Sequence, residues 1–405
     1  MTTVLHVVLV VKGMHPRSGG PPAVVAGSAE ALANLGHRVT ILTSAPETDR
    51  QAIADTWSSM LDAGVSISYL RDGGVRGFVN RSPDHDAIGE LVAQSDVVHL
   101  HGIWGPILTI AARAAQRHQR PYVVSPHGML DHRAMGTDRL KLLKKRIGIE
   151  VLGFRSLLNN ASALLFGNEA EANQSWRPRG ATRITYVPNG VSALRGLAEP
   201  TDADLALLRA AVPQTSEWNQ LVLCRSRIDR QKGIDLLVKA FAQVGTDHPH
   251  ARLLIAGIRH DEDYETHVKD LINDLGLHDT VAFTTELVGP SSQFLYSVAD
   301  VGATPSIFEG FSVGLIEGLA FGRPMLVTRP CHMGIVEQHG SGVVVEAEPN
   351  SIATGLKQLL ALSDDERRSM GQASRRLFEE NYTWAKVAQM LATTYGDAIA
   401  QAGGR

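Results

Sequence analysis

The chain has 405 residues, with 39 Lys+Arg against 42 Asp+Glu for a net charge of -3, 44% hydrophobic residues and two cysteines. So ordinary an apolar fraction with so small a net charge excludes a disordered chain, and without a basic excess a nucleic-acid partner is not expected. At about 150 residues per domain the length suggests two or three domains, each able to bury its own core.

Cys224 and Cys331 lie far apart, outside any CxxC or Cys/His spacing, and read as incidental buried thiols. The first apolar run, Val4 to Val11, has no basic segment before it and no small-residue cleavage site after it, so it reads as a strand and not a signal peptide. No apolar stretch approaches the roughly 20 residues that span a bilayer. A cytoplasmic location is the expectation.

After this strand comes a Gly/Pro-rich turn, Ser18 to Pro22, then a helical pattern from Ala23 to Leu35 closed by Gly36, then a second buried strand, Arg38 to Thr43. The rhythm continues with strands at Val97 to His101, Tyr122 to Ser125 and Ala163 to Phe166, and helices over Ile107 to His118 and Asp138 to Leu158. Continuous β-branched runs separated by helices imply an α/β fold with a parallel sheet covered on both faces. A second cycle starts after Asn189-Gly190-Val191, with strands at Leu221 to Cys224, Arg252 to Ala256, Val281 to Phe283, Val301 to Thr304, Pro324 to Thr328 and Val343 to Val345. From Asp364 to about Ala400 the tail reads as helix throughout. Two Rossmann-like halves are the simplest account, and ligands of such sheets bind beyond the carboxyl ends of the strands.

Chemistry-bearing residues gather at those ends. In PSIFEGFSVGLIEGLAF, Glu309 follows a strand and Glu317 lies inside the next helix, which the segment Gly310, Phe311, Ser312 begins. Exposed amides and the dipole at such an N-terminus suit a phosphate, and carboxylates accept from vicinal sugar hydroxyls. In RSRIDRQKGID, Arg227 and Lys232 are placed to neutralise a diphosphate, whereas Arg230 reads as a solvated turn residue. Gly19 and Gly20 permit close approach of the backbone to a ligand, or serve a plain turn. They do not form GxGxxG, and no acid closes the second strand, which argues against a nicotinamide dinucleotide.

His99, His101 and His127 also fall at strand ends. The first two share a strand face without Asp, Glu or Cys to complete a metal set, so no metal is expected, and His127 beside Gly128 reads as a hydrogen-bonding group at the site. The basic start of the Arg139 to Leu158 segment reads either as a surface for an anionic membrane or as a solvated helix face.

In order, SGG, AEALANLGHRVTILT, DVVHLHG, SPHG, VPNGV, SRIDRQKGIDLLVKAF, LLIAG and PSIFEGFSVGLIEGLAFGRPMLVT resemble the retaining GT-B glycosyltransferases of family 4 over nearly the whole chain. SPHGMLD followed by a basic helix is similar to members that build exopolysaccharide or lipid-linked glycans. The resemblance implies two Rossmann-like domains, residues 1–195 on the acceptor side and 196–383 for the nucleotide sugar, with a terminal helix over 384–405 crossing back to the first. It implies Arg227 and Lys232 on the diphosphate, Glu309 on the sugar hydroxyls beside the Gly310 and Phe311 amides, Ser312 near the phosphate, Glu317 on the ribose, His127 near the reacting carbon and Gly19-Gly20 beside the donor phosphate. No cofactor or metal is implied; a UDP- or GDP-linked sugar is the donor, and a glycan, lipid-linked or small molecule is the acceptor. The sequence departs from the family pattern at Ser226, where a glycine usually precedes the arginine, and at Phe283-Thr284-Thr285, in place of Phe-x-Gly. A non-hydrolysing sugar-nucleotide epimerase and a non-catalytic nucleotide-sugar-binding protein share these expectations of fold and ligand.

Overall fold

The computed structural model describes residues 3–16, 20–70, 83–130, 153–176, 183–191, 200–212, 220–287 and 292–404. They form two compact units, one of residues 1–190 with 384–405, the other of residues 191–383. The first boundary falls earlier than residue 195, because Val191 donates its amide to the Tyr382 carbonyl at 3.0 Å and joins the core of the second unit.

In the first unit seven parallel strands, β1 (His6–Val11), β2 (Arg38–Ser44), β3 (Ser66–Leu70), β4 (Val97–His101), β5 (Tyr122–Ser125), β6 (Ala163–Phe166) and β7 (Arg183–Tyr186), lie in the order β3-β2-β1-β4-β5-β6-β7. In the second, β8 (Gln220–Arg225), β9 (Ala251–Ala256), β10 (Val281–Thr284), β11 (Val301–Thr304), β12 (Met325–Thr328) and β13 (Gly342–Val345) lie in the order β10-β9-β8-β11-β12-β13. Side chains alternate between faces along a strand, and here both faces are apolar. Val7, Leu9 and Val11 of β1 enter one core and Val8 and Val10 the other. Leu221 and Leu223 of β8 are likewise divided from Val222 and Cys224.

Strand order reverses beside β1 and β4 in the first sheet and beside β8 and β11 in the second. At such a reversal the following loops splay to opposite faces and leave a crevice at the carboxyl ends. That crevice determines which loops can meet a ligand in each unit.

The first helix runs Gly20–Asn34 and takes in Pro21 and Pro22, which the sequence reading left in the turn. Proline is accommodated there because amides of the first helical turn have no intrahelical partner. The helix expected over Asp138 to Leu158 is described only at its end, where Phe154–Asn159 starts afresh after Gly153 at φ 86, a conformation that a continuous helix does not contain. Residues 131–152, which carry the basic cluster, lie outside the described residues. The tail is two helices, Asp364–Asn381 and Trp384–Gly403.

Val387, Leu391, Tyr395 and Ala398 recur at helical spacing on Trp384–Gly403 and are buried in the first unit's core. Trp384 fixes where this helix begins. A Cβ added at Gly27 or Gly190 would lie 2.2 or 2.4 Å from its indole ring, so both glycines exist as clearance for the ring. Among the described residues no helix is long and apolar enough to cross a membrane.

Candidate active site

In the second unit the loops after β8 and β11 meet at the strand-order reversal. The loop after β8 turns through a short 3-10 segment, Arg230–Lys232, capped by the Asp229 carboxylate on the Gln231 amide at 2.9 Å. Gly233 follows at φ 61, where a Cβ would stand 2.2 Å from the Pro305 carbonyl oxygen. Only glycine gives both that turn and that approach. The amide of Ile307 donates to the Gln231 carbonyl at 2.9 Å, so the two loops are joined through their backbones.

Two largely buried ion pairs occupy this junction among the described residues. Lys232 Nζ lies 2.5 Å from Glu309 Oε2, with both side chains largely buried and the Ser306 hydroxyl donating to the same oxygen at 3.3 Å. Arg225, at the end of β8, donates from Nη1 to Glu317 and from Nε to Ser292 Oγ at 3.0 Å. Gln293 Nε2 donates to the other Glu317 oxygen at 2.8 Å. Burial pushes the Glu317 carboxyl up, opposed by the Arg225 charge and the Gln293 hydrogen bond. Arg227 is half exposed, 3.3 Å from Asp229.

The helix Val313–Ala320 starts beside these pairs. Ser312 is its N-cap and accepts from the Leu315 amide at 3.3 Å. Phe311 packs onto the apolar core, while the space around Gly310 is open. A Cβ at Gly314 would meet the Arg225 carbonyl at 2.5 Å, so this glycine lets the helix start rest against the end of β8. The cysteines are inert: burial pushes the Cys224 thiol up to about 12 and that of Cys331 to about 11.

The first unit carries a histidine cluster. His99 and His101 on β4 have ring centroids 4.0 Å apart, and His101 stacks on His127 at 5.2 Å. Both ring nitrogens of His99 are used, Nδ1 at 2.8 Å from the Tyr395 hydroxyl and Nε2 at 2.8 Å from Ser125 Oγ. His101 Nδ1 meets His127 Nε2 at 3.0 Å. His127 has φ 51, uncommon for a residue with a side chain, and Gly128 follows at φ 72. Glu171 holds this turn: one oxygen accepts from the Gly128 amide at 3.1 Å and the other from the Gly167 amide at 2.7 Å. Burial lowers His99 to about 3, His127 to about 4 and His101 well below the ordinary histidine value, so all three rings are neutral near pH 7.

The structure thus brings Lys232, Glu309, Glu317, Gly310 and Ser312 into one junction with Arg227 on the same loop, while His127 belongs to the first unit. Gly20 opens the first helix; Gly19 lies outside the described residues. Sequence reasoning did not single out Arg225, Gln293, Ser306, Glu171 or Tyr395. Arg225 was detectable as a cation at the last position of a buried strand, whereas Gln293 and Tyr395 carry no local signal. Among the described residues no group of three or more His, Cys, Asp or Glu is arranged to hold a metal ion.

Two open parallel sheets of Rossmann type define the GT-B architecture of nucleotide-sugar transferases, and the chain shares it with solved structures. Residues 19–190 match the family described as "Glycosyl transferase 4-like domain" and residues 211–377 that described as "Glycosyl transferases group 1". The chain belongs to the family 4 glycosyltransferases.

It is 25% identical to a GDP-mannose:cellobiosyl-diphosphopolyprenol alpha-mannosyltransferase of Xanthomonas oryzae, over 98% of this chain and 97% of that one. It is 30% identical to an uncharacterized glycosyltransferase of Methanocaldococcus jannaschii over 45% of this chain, a match that spans 46% of that relative. The match to a D-inositol 3-phosphate glycosyltransferase of Corynebacterium kroppenstedtii, also 30% identical, spans 49% of that protein. Among solved structures, Anabaena HepE in complex with UDP and glucose aligns with a TM-score of 0.71 and 17% identity, covering 97% of this chain and 100% of that one.

Proposed function

We propose that the protein is a retaining hexosyltransferase that moves a sugar from a GDP- or UDP-linked donor to a hydroxyl of a lipid-linked or other glycan acceptor. The observation that carries this reading is the Lys232–Glu309 pair at the strand-order reversal of the second unit. The cation and the carboxylate neutralise each other. Donor binding exchanges partners: Lys232 turns to the diphosphate and Glu309 to the sugar hydroxyls. Arg227, paired with Asp229 and half exposed, adds its charge to the same diphosphate. Glu317, positioned by Arg225 and Gln293, accepts from the ribose.

In the transfer step the bond between the anomeric carbon and the β-phosphate oxygen breaks, and the acceptor oxygen bonds to the same face of that carbon. The acceptor proton passes to the departing phosphate oxygen. Charge on the diphosphate rises as the bond breaks, so the two cations act most strongly in the transition state. His127 offers a neutral imidazole to the sugar near that carbon, and Gly310 leaves its backbone open to the donor. These cations supply the charge that a metal ion provides elsewhere, so the reaction proceeds without one. The full-length relative that uses GDP-mannose and a polyprenyl diphosphate saccharide supports the donor class and a lipid-linked acceptor. Such an acceptor implies a cytoplasmic enzyme working at the membrane face.

The test is thermal unfolding with GDP, UDP, ADP and dTDP and their hexose derivatives in the presence of EDTA, followed by turnover with the nucleotide sugar that binds. A rise in Tm with one nucleotide, and acceptor-dependent release of that nucleotide with the anomeric configuration kept, is the expected result. No shift with any nucleotide overturns the reading. Interconversion of the donor sugar without acceptor identifies an epimerase instead.

A further inference from the structure

The histidine cluster contains a buried atom that the proposed reaction does not explain. His101 is only 3% exposed, and its Nε2 is buried with no hydrogen-bond partner among the described residues. Neighbouring His99 cannot supply one, since Tyr395 and Ser125 take both of its nitrogens. The other His101 nitrogen, Nδ1, is 3.0 Å from His127 Nε2, and that contact needs one proton between two neutral rings.

Only two arrangements exist. If His127 Nε2–H donates, His101 Nδ1 is the acceptor and its proton sits on Nε2, leaving a buried N–H with nothing to bond. If His101 Nδ1–H donates, the atom left over is a lone pair, and His127 carries its own proton on Nδ1. A buried orphan donor is the rarer and costlier defect. We propose that His101 is a positioning residue that fixes His127 as the Nδ1–H tautomer, so that His127 presents a hydrogen-bond donor to the sugar it faces.

The surroundings agree with this assignment. His127 Nδ1 makes no hydrogen bond among the described residues and is left for a ligand. The backbone at His127 is held in the left-handed region, with Glu171 pinning the Gly128 amide, so the ring cannot leave His101 by a simple change of turn. Burial keeps both rings from becoming doubly protonated near pH 7, which preserves the distinction between donor and acceptor nitrogens. The inference rests on the reading above, in which His127 faces the transferred sugar.

The experiment uses the full chain labelled with 15N-histidine, with long-range proton–nitrogen correlation spectra at pH 7, where protonated and unprotonated ring nitrogens fall in separate regions. The His127→Gln spectrum assigns the His127 signals. In the wild type both His101 and His127 should be protonated at Nδ1; a proton on His127 Nε2 overturns the proposal without any variant. His101→Phe keeps the ring volume and removes the donor, and His127 should then lose its Nδ1–H preference. His101→Asn, whose amide nitrogen reaches the Nδ1 position, should keep it. With the donor identified above, His101→Phe should lower kcat by roughly tenfold with little change in donor KM, the loss of about one well-oriented hydrogen bond. An unchanged tautomer in His101→Phe also overturns the proposal. An Nδ1–H His127 whose His127→Gln variant transfers sugar normally would uphold the tautomer while removing His127 from the reaction.

Discussion

Lys232 Nζ and Glu309 Oε2 lie 2.5 Å apart although 77 residues separate them in the chain. The contact exists because β8 and β11 are neighbours at the strand-order reversal and because Gly233 lets the first loop press against Pro305. Removing the cation should therefore act on turnover. Lys232→Ala is expected to lower kcat at least tenfold with a smaller change in donor affinity, as is Arg227→Ala, since charge on the leaving diphosphate is greatest in the transition state. Steady-state kinetics alongside calorimetric donor binding check this; a variant that loses only affinity contradicts the role.

Glu317→Ala removes the carboxylate that faces the Arg225 guanidinium, which cannot give up its proton, and leaves Gln293 without its acceptor. Breaking one side of a buried pair costs about 3 kcal/mol or more. Urea unfolding should show that loss in Glu317→Ala and in Arg225→Ala. The double variant should lose less than the sum, because the contact that the second change would break is already gone after the first. Strict additivity would mean that the two side chains do not interact.

Gly233→Ala places a methyl group 2.2 Å from the Pro305 carbonyl, with the backbone at φ 61. The rest of the sheet does not depend on that turn, so nucleotide affinity should fall by an order of magnitude or more while the unfolding transition stays cooperative. Isothermal titration with the nucleotide that binds the wild type measures the first; full wild-type affinity would separate the two loops from the binding site.

Stability should fall in mild acid. His99, His101 and His127 titrate far below their unfolded value near 6.5, so the unfolded chain binds protons that the folded one refuses. Their contribution is complete above about pH 6.5 and is lost as pH falls towards the folded values. At pH 5.5 the three together cost on the order of a few kcal/mol. Urea midpoints at pH 7.5 and 5.5 test this in the wild type, and His99→Gln should remove about a third of the difference. An equal loss in the variant would place the sensitive groups elsewhere.

How much of this was readable in the sequence follows from what each element is made of. β4, β5, β6 and β11 are short buried runs between clear breaks, and their limits could be read to the residue, whereas β1 begins at His6, two residues into the apolar run that reveals it. β3 (SISYL) and β7 (RITY) are edge strands, half solvated and short, with no apolar run to reveal them. The loops of the candidate site were legible because glycines and charges follow strand ends at short spacing. The partners that hold those charges were not: Gln293 and Glu317 lie 24 residues apart, and His99 and Tyr395 lie 296 apart. Only the tertiary fold brings such residues together, and one-dimensional periodicity carries no trace of it.

Trp384 and the helix after it return the chain to a unit that the first 190 residues leave incomplete. On the ribosome, then, the order of folding is not the order of the sequence. The second unit is one continuous stretch and has all its parts once residue 383 has emerged, whereas the first must wait for the helix Trp384–Gly403, with the channel between Gly27 and Gly190 unfilled until the indole arrives. A chain cut short just before Trp384 would keep a finished second unit and an open hydrophobic seam in the first.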